Sequence, residues 1–461
     1  MPDRKFLTRD EAEAITRRAL SFSTADDARV NIQSFTRGNT RFARNQISTA
    51  GDAFDGQLTV TSAFGKKVAS ATTNRFDDES LRTVVGTSER LARLVPEDPE
   101  YLGELAAQQY PQTRAYFEGT ANLTPAQRAA AVTAITGPAE RQGLVSTGFL
   151  DILVGSQTVA TKKGLFAYQT GTSVNLTTTV RTPDGTGSGW AGVGLNDWAQ
   201  LNPADLGDRA IRKAVLSRNP KAVEPGKWTV ILEPTAVANL VQLMVGSMDA
   251  RQADEGRSFF SKQGGGNKLG EKVVDTRIQI VSDPASALAP VNAFNNQGLP
   301  NRRMVWIENG TVANLQYSRY WAQRQGRQPT GFAFGGGGGG GGFGAGFEMG
   351  GGTTSIEQMI RSTERGLLVT RLWYIRQVDP RTILFTGLTR DGTFLIENGQ
   401  ITTAVKNLRW NESPVFMLNN VEAMSPPVRV SGSESGEAGG AVVVPAVKAR
   451  DFTFTSLSDA V

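Results

Sequence analysis

Apolar residues recur along this chain with two periods, and the alternation of those periods outlines the fold. Thr8 followed by Glu11 forms a capping box ahead of Ala12, Ile15, Ala19 and Leu20 at helical spacing, which predicts an opening helix. "ARVNIQSFTRGNTRFARNQI" then alternates with period two around Gly38-Asn39, a predicted hairpin; "GQLTVTSAFGKKVASATT" predicts a second one turning near Gly65. Asp77 caps a helix whose apolar face is Leu81, Val84, Val85, Ser88 and Leu91, and "VPEDPE" ends it. Beyond a looser stretch, Thr124-Pro125 with Gln127 starts another helix, two long strands run on through Thr182, and Asp205 opens a helix through Ala210, Ile211, Ala214 and Val215.

The pattern changes at Trp228. A strand, "WTVILE", leads into an almost wholly apolar helical stretch, and the remainder of the chain is mainly β. "MVWIENGTVANLQ" and "TFLIENGQITTAVKNL" each set Asn-Gly between alternating apolar residues, a strong hairpin signal. A short helix is expected from the Ser355 cap to a stop at Gly366. The expected fold class is α+β, with a mixed αβ N-terminal half in two small sub-domains (1–108 and 109–222) and a β-rich C-terminal domain (223–461). "NPKAVEPGK" marks the second boundary.

Composition narrows the chemistry. The chain has 461 residues, enough for two or three domains, and its net charge of +5 is too small and too dispersed for a nucleic-acid binder. It has no Cys and no His, so a His-ligated metal site, a Cys nucleophile and a Ser-His-Asp triad are all excluded. Neither a secretory h-region in "MPDRKFLTRDEAEAI" nor an apolar run of membrane-spanning length is present, so a cytoplasmic protein is expected. The low-complexity segment, the Gly-rich loop 335–352, lacks the Gly-Lys-Ser/Thr ending of a phosphate loop. It reads as a surface loop; the functional alternative is a flap over a peptide groove, with Phe332, Phe334, Phe343 and Phe347 as its apolar contacts. "SKQGGGNKLG" and "TRDGT" read as turns, and Asp249, Asp254 and Glu255 as a solvated acidic loop. Arg319, Arg324 and Arg327 are candidates for a substrate carboxylate, with a solvated helix face the favoured reading. The scattered tryptophans (Trp190, Trp198, Trp306, Trp321, Trp373, Trp410) are expected in cores or interfaces.

Collinear pieces carry a resemblance. "TRFARNQIS", "LRTVVGTSERLARLVPEDP", "KKGLFAYQTGTSVNLTTTVRTPDGTGSGW", "GRSFFSKQGGGNKLGEKVVDTRIQIVSDP" and, above all, "VDPRTILFTGLTRDGTFLIENGQITTAVKNLRWNES" resemble the TldD/PmbA metallopeptidase family over nearly the whole chain. In the catalytic TldD type, a helix carries His-Glu-x-x-x-His for zinc. Laid onto "QLMVGS" through Gly246, those ligands fall on Gln242, Leu243 and Ser247, none of which suits the role; a late Cys ligand is missing too. The resemblance therefore implies the PmbA (TldE) type, a metal-free subunit. It implies a TldD-type partner that supplies zinc, unfolded peptide as substrate, contact between partners through the β-rich domain, and no cofactor, nucleic acid or membrane for this chain. The same stretch read without the family is a structural helix with Val237, Leu240, Leu243 and Met244 as its apolar face. A stand-alone peptide-binding or assembly protein, for example a homodimer, is the alternative, and a His-free enzyme using carboxylates or Lys the third reading.

Overall fold

The computed structural model describes residues 5–332, 346–431 and 441–458. Its first helix, α1 (Arg9–Phe22), starts with the reciprocal Thr8–Glu11 box and buries Ala12, Ile15 and Ala19. Strand β1 (Asp27–Ala43) is followed by β2 (Gln46–Phe64) and β3 (Lys67–Thr73). The hairpin expected at Gly38-Asn39 is absent. β1 runs straight through it, and the chain turns at Arg44 and Asn45, both left-handed at φ 51° and 64°. Asn45 fixes that turn by donating to the Leu144 carbonyl at 2.8 Å and accepting from the Ser146 amide at 2.7 Å. Gly38 is in the strand for clearance, since a Cβ there would strike Arg128 and Asp52. The Gly65 hairpin forms as expected. Helix α2 (Asp78–Leu94) is capped by Asp77 and buries Leu81, Val84, Val85 and Ser88; Ala92 takes the last core position while Leu91 is 39% exposed.

β1 also pairs with β4 (Val145–Thr161), which pairs with β5 (Phe166–Arg181) and then β6 (Ser188–Leu195). The result is one continuous six-stranded sheet in the order β3-β2-β1-β4-β5-β6, running across residue 108 without a break. One short helix, α3 (Glu118–Ala121), precedes α4 (Pro125–Arg141), which has the Thr124–Gln127 box; α5 (Pro203–Leu216) is capped by Asn202, so Asp205 lies inside its first turn instead of opening it. Val30, Ile32, Leu58 and Val60 bury one face of the sheet under α1 and α2, and Leu150, Ile152, Val174 and Leu176 bury it under α4 and α5. The opposite face meets the C-terminal domain, where Val159 and Ala167 pack on Phe294 and Asn31 donates to the Asn296 carbonyl at 2.8 Å.

The C-terminal domain begins with β7 (Gly226–Leu232), α6 (Pro234–Gly246) and α7 (Ala250–Asp254). Short strands β8 (Ile280–Ser282), β9 (Met304–Glu308) and β10 (Thr311–Val312) precede α8 (Arg319–Arg324), β11 (Phe347–Met349) and α9 (Ile356–Arg361). Then come β12 (Arg365–Asp379), β13 (Leu384–Glu397), β14 (Gln400–Ala404), β15 (Leu408–Glu412) and α10 (Pro414–Asn419). The chain closes with β16 (Val421–Met424), β17 (Val428–Ser431), β18 (Ala441–Val444) and β19 (Val447–Leu457). The large sheet runs β12-β7-β19-β15-β13-β14, and because β12 also pairs with β13 its path closes on itself into a barrel. A second sheet runs β10-β9-β8-β11-β18-β17. The mixed αβ N-terminal half and β-rich C-terminal half agree with the sequence pattern.

Both Asn-Gly turns form, with Asn309 and Asn398 left-handed at φ 49° and 50°. Gly366 does not stop the Ser355 helix: α9 ends at Arg361, and Gly366 sits in β12 because a Cβ would press on the Thr229 carbonyl of β7. "TRDGT" is not a turn either. It is an irregular stretch inside β13 where Asp391 and Gly392 take φ 53° and 126° and the β12–β13 register shifts. No helix among the described residues is long and apolar enough to cross a membrane.

Candidate functional site

Helix α6 leaves β7 at Glu233, with Pro234 in its first turn, and lies in the middle of the largest hydrophobic core. Every position from Thr235 to Val241 is buried, as are Met244 and Val245. The half-buried positions beyond them are Gln242, Leu243, Gly246 and Ser247. The helix stops at Gly246, and Ser247 caps it: its amide donates to the Leu243 and Met244 carbonyls at 3.1 and 3.0 Å, and its Oγ to the Leu243 carbonyl at 2.8 Å. Gln242, Leu243 and Ser247 are thus all half-buried at the helix's C-terminal end, with Leu243 still touching the core. As a zinc donor set they do not fit. Leu243 offers no lone pair, the Ser247 hydroxyl is committed to a carbonyl, and imidazole and thiolate are missing from the sequence. Among the described residues no three acidic side chains gather where a metal ion would sit.

The acidic segment after α6 is structural. Asp249 caps α7 through the Gln252 amide at 2.8 Å. Asp254 accepts from Trp321 Nε1 at 2.6 Å and Asn267 Nδ2 at 2.7 Å, and Glu255 pairs with Arg251 and Arg257. Asp249 and Asp254 are thus tied into the fold while Glu255 stays exposed, and the Trp321 bond anchors α7 to α8. Gly264, Gly265 and Gly266 form the expected turn, all left-handed. Arg319 leaves the expected solvated face: its Nη1 donates to the Gly103 carbonyl at 2.8 Å, and burial pushes its pKa down. Arg324 and Arg327 stack over Trp321 and Tyr317. Trp190, Trp306, Trp321 and Trp410 are buried, whereas Trp198 and Trp373 are half-exposed.

Two of the flap candidates are core residues. Phe332 is buried with its ring edge-on to Trp306 at 5.5 Å, and Phe347 is buried at the start of β11. Each already has its apolar partner inside the domain, which removes them as contacts on a groove surface. Phe334 and Phe343 lie outside the described residues.

The structure brings a different set of residues to the start of α6. β6 is the edge of the N-terminal sheet and β17 the edge of the smaller C-terminal sheet; among the described residues each pairs on one side only. They meet there around a cavity of 290 Å³ lined by Trp190, Val193, Lys213, Glu233, Thr235 and Arg429 among others. Lys213 holds Glu233 at 2.6 Å. Arg429 donates to the carbonyls of Gly194 and Leu288, both at 2.6 Å, and burial pushes its pKa down to about 10. A cleft between two strand edges offers main-chain donors and acceptors to an extended chain. Sequence reading missed Arg429. Its signal was the alternation of "VRVS" straight after two prolines, which marks an edge strand but not what that edge faces.

Relatives of known type agree with this architecture. Residues 225–456 match the profile of the PmbA/TldA metallopeptidase C-terminal domain, residues 124–218 that of its central domain and residues 28–92 that of domain 1. A metalloprotease of Methanothermobacter thermautotrophicus is 24% identical over 249 residues, covering 52% of each chain. Another from Methanocaldococcus jannaschii is 25% identical over 248 residues, covering 53% of each; the chain thus spans about half the length of the curated relatives it matches. The fold is that of TldE from Thermococcus kodakarensis, with TM-score 0.84, 18% identity, and coverage of 96% of this chain and 99% of that one. With the profiles matched in order along most of its length, the chain belongs to the PmbA/TldD metallopeptidase family.

Proposed function

We propose that this chain is the metal-free, TldE-like subunit of a two-subunit peptidase acting on unfolded peptides. It helps to form the peptide-binding cavity, and a TldD-type partner supplies the zinc and the activated water. The observation that carries this reading is the end of α6. The helix is built and buried like a rigid scaffold, yet its accessible positions are Gln242, Leu243 and Ser247, which have no zinc-binding capacity. The strand edges of β6 and β17 support the peptide-holding role, since main-chain pairing binds extended chains with little sequence preference.

The test is a reconstitution. The chain is purified alone and together with a TldD-type subunit, and each preparation is assayed for bound metal and for cleavage of an unstructured peptide. Cleavage and zinc are expected only with the partner. Chelator-sensitive cleavage by the chain alone, with stoichiometric zinc, overturns the proposal. The same strand edges favour a second reading, a stand-alone peptide-binding or assembly protein. A stable self-dimer in native mass measurements, without binding to any TldD-type subunit, selects it.

A further inference from the structure

We propose that the cleft between β6 and β17 captures a peptide by its free C-terminal carboxylate, which rests against Arg429 and the first turn of α6. The site presupposes the peptide-holding role proposed above and gives it a chemical anchor. Charge points to an anion. Among the described residues, three cations and two carboxylates line the cleft: Arg209, Lys213 and Arg429 against Asp205 and Glu233. Arg209 pairs with Asp205 at 3.0 Å and Lys213 with Glu233 at 2.6 Å, so Arg429 is left as the surplus charge. A partly buried cation without a counter-ion is costly, and one carboxylate from a ligand balances it.

Unused donors point the same way. Arg429 spends Nε and Nη1 on the Gly194 and Leu288 carbonyls; its Nη2 has no acceptor among the described residues and is not sealed inside the protein. Glu233 stands at the N-cap of α6, but its side chain accepts no amide, and Pro234 has no N–H. The Thr235 and Ala236 amides therefore have no acceptor among the described residues. The Thr235 hydroxyl and Trp190 Nε1 have no partner there either. Their residues are only 8% and 4% exposed, yet neither atom is sealed, and both residues line the cleft.

A guanidinium, helix-start amides, a hydroxyl and an indole N–H suit the two oxygens of a carboxylate. A single surplus charge matches a monoanion better than a phosphate dianion. The volume of 290 Å³ is just under the usual range of about 300–1,000 Å³ for whole small ligands, so it takes the end of a peptide and not its length. Val193 of β6 and Val428 of β17 give the last side chain an apolar wall, and the strand edges pair with the residues before it.

Calorimetric titration of the full chain, without a partner subunit, tests this with three acetylated Ala-Ser hexapeptides: one with a free C-terminus, one amidated, and one amidated with an internal Asp. The free acid is expected to bind saturably at one site, and both amides roughly tenfold more weakly. Arg429→Gln and Thr235→Val should each narrow that preference to about threefold or less, whereas a merely structural loss weakens all three peptides alike. Melting temperatures report folding. Thr235→Val removes a hydroxyl the protein does not use, so it decides the matter if Arg429→Gln does not fold. Four results overturn the proposal: no saturable binding of the acid, equal binding of acid and amide, an Asp-bearing amide as tight as the acid, or an unchanged preference in the folded variants. Equal binding of acid and amide leaves the peptide-holding role standing, and cleavage with a TldD-type partner tests that role separately.

Discussion

Arg128, on α4, forms an ion pair with Asp52 of β2 across Gly38, the β1 residue that faces Asp52 in the sheet. The second arm of the fork is 2.9 Å long, and Arg128 is 3% exposed although Asp52 is half open to water. The buried guanidinium depends on a carboxylate that it reaches only because β1 has no side chain at that point.

Gly38→Ala should therefore destabilise the chain by about 2–4 kcal/mol, somewhat less than the roughly 3–5 kcal/mol for breaking a fully buried pair, because Asp52 is half open to water. Gly51→Ala, on the neighbouring strand, should be nearly neutral, since its Cβ would meet nothing within 4 Å. Urea denaturation of the two variants checks the difference. Equal midpoints would show that Arg128 relaxes at no cost.

Asp391 and Arg371 form a second buried pair, 4% and 8% exposed, with the guanidinium 4.8 Å from the centroid of Trp190. Asp391→Asn should cost roughly 3–5 kcal/mol, because it strands a desolvated cation. Arg371→Met combined with it should recover part of that loss, which a double-mutant cycle in urea measures. Additive losses in the cycle would contradict the coupling.

Glu412 gives the chain a pH signature. Burial raises its pKa from 4.5 to about 7, against the lowering effect of the Ser413 and Thr453 amides that its carboxylate accepts. Between those two values the folded chain holds a proton that the unfolded chain has released. Stability should thus fall as pH rises from about 4.5 to about 7 and level off above, by at most about 3 kcal/mol. Glu412→Gln should remove this part of the slope without adding stability at neutral pH, since its amide nitrogen cannot accept the second backbone N–H. Melting temperatures at pH 5, 6 and 7 for both proteins decide it. Parallel slopes would place the titration elsewhere.

Caps and hairpins were legible in the sequence because their causes are local. Thr8, Thr124 and Ser355 each meet a partner three residues on, and Asn309-Gly310 and Asn398-Gly399 set the backbone by themselves. Glycines with distant causes were misread. Gly38 answers to Arg128 and Gly366 to the β7 backbone, and neither neighbour is visible in a window around the residue. The Asp-Gly of β13 looks like a turn for the same reason: the partners of Asp391, Arg371 of β12 and Ser188 of another domain, lie far from it in sequence. Missing His and Cys bounded the chemistry at α6, whereas Arg429 and the two strand edges around it are brought together only by tertiary structure.

The end of α6 offers the most direct test of what this chain lacks. An ideal helix separates positions i and i+5 by about 140°, too far for two side chains to share a metal. Here Ser247 is the cap beyond Gly246, and Gln242 and Ser247 are both half-buried, so that new side chains there have room to adjust. The combined variant Gln242→His, Leu243→Glu, Ser247→His should therefore fold, with a loss of roughly 1–2 kcal/mol for the partly buried Leu243. It should take up about one chelator-removable zinc per chain, more weakly than a site with a third protein ligand. Val241→His with Met244→His, on the buried face, should instead unfold or aggregate, because the imidazoles have no partners there. If the first variant folds and holds no more zinc than the parent chain, these positions do not converge on a metal. The reading of α6 as the scaffold of an absent site would then fall, leaving it an ordinary core helix.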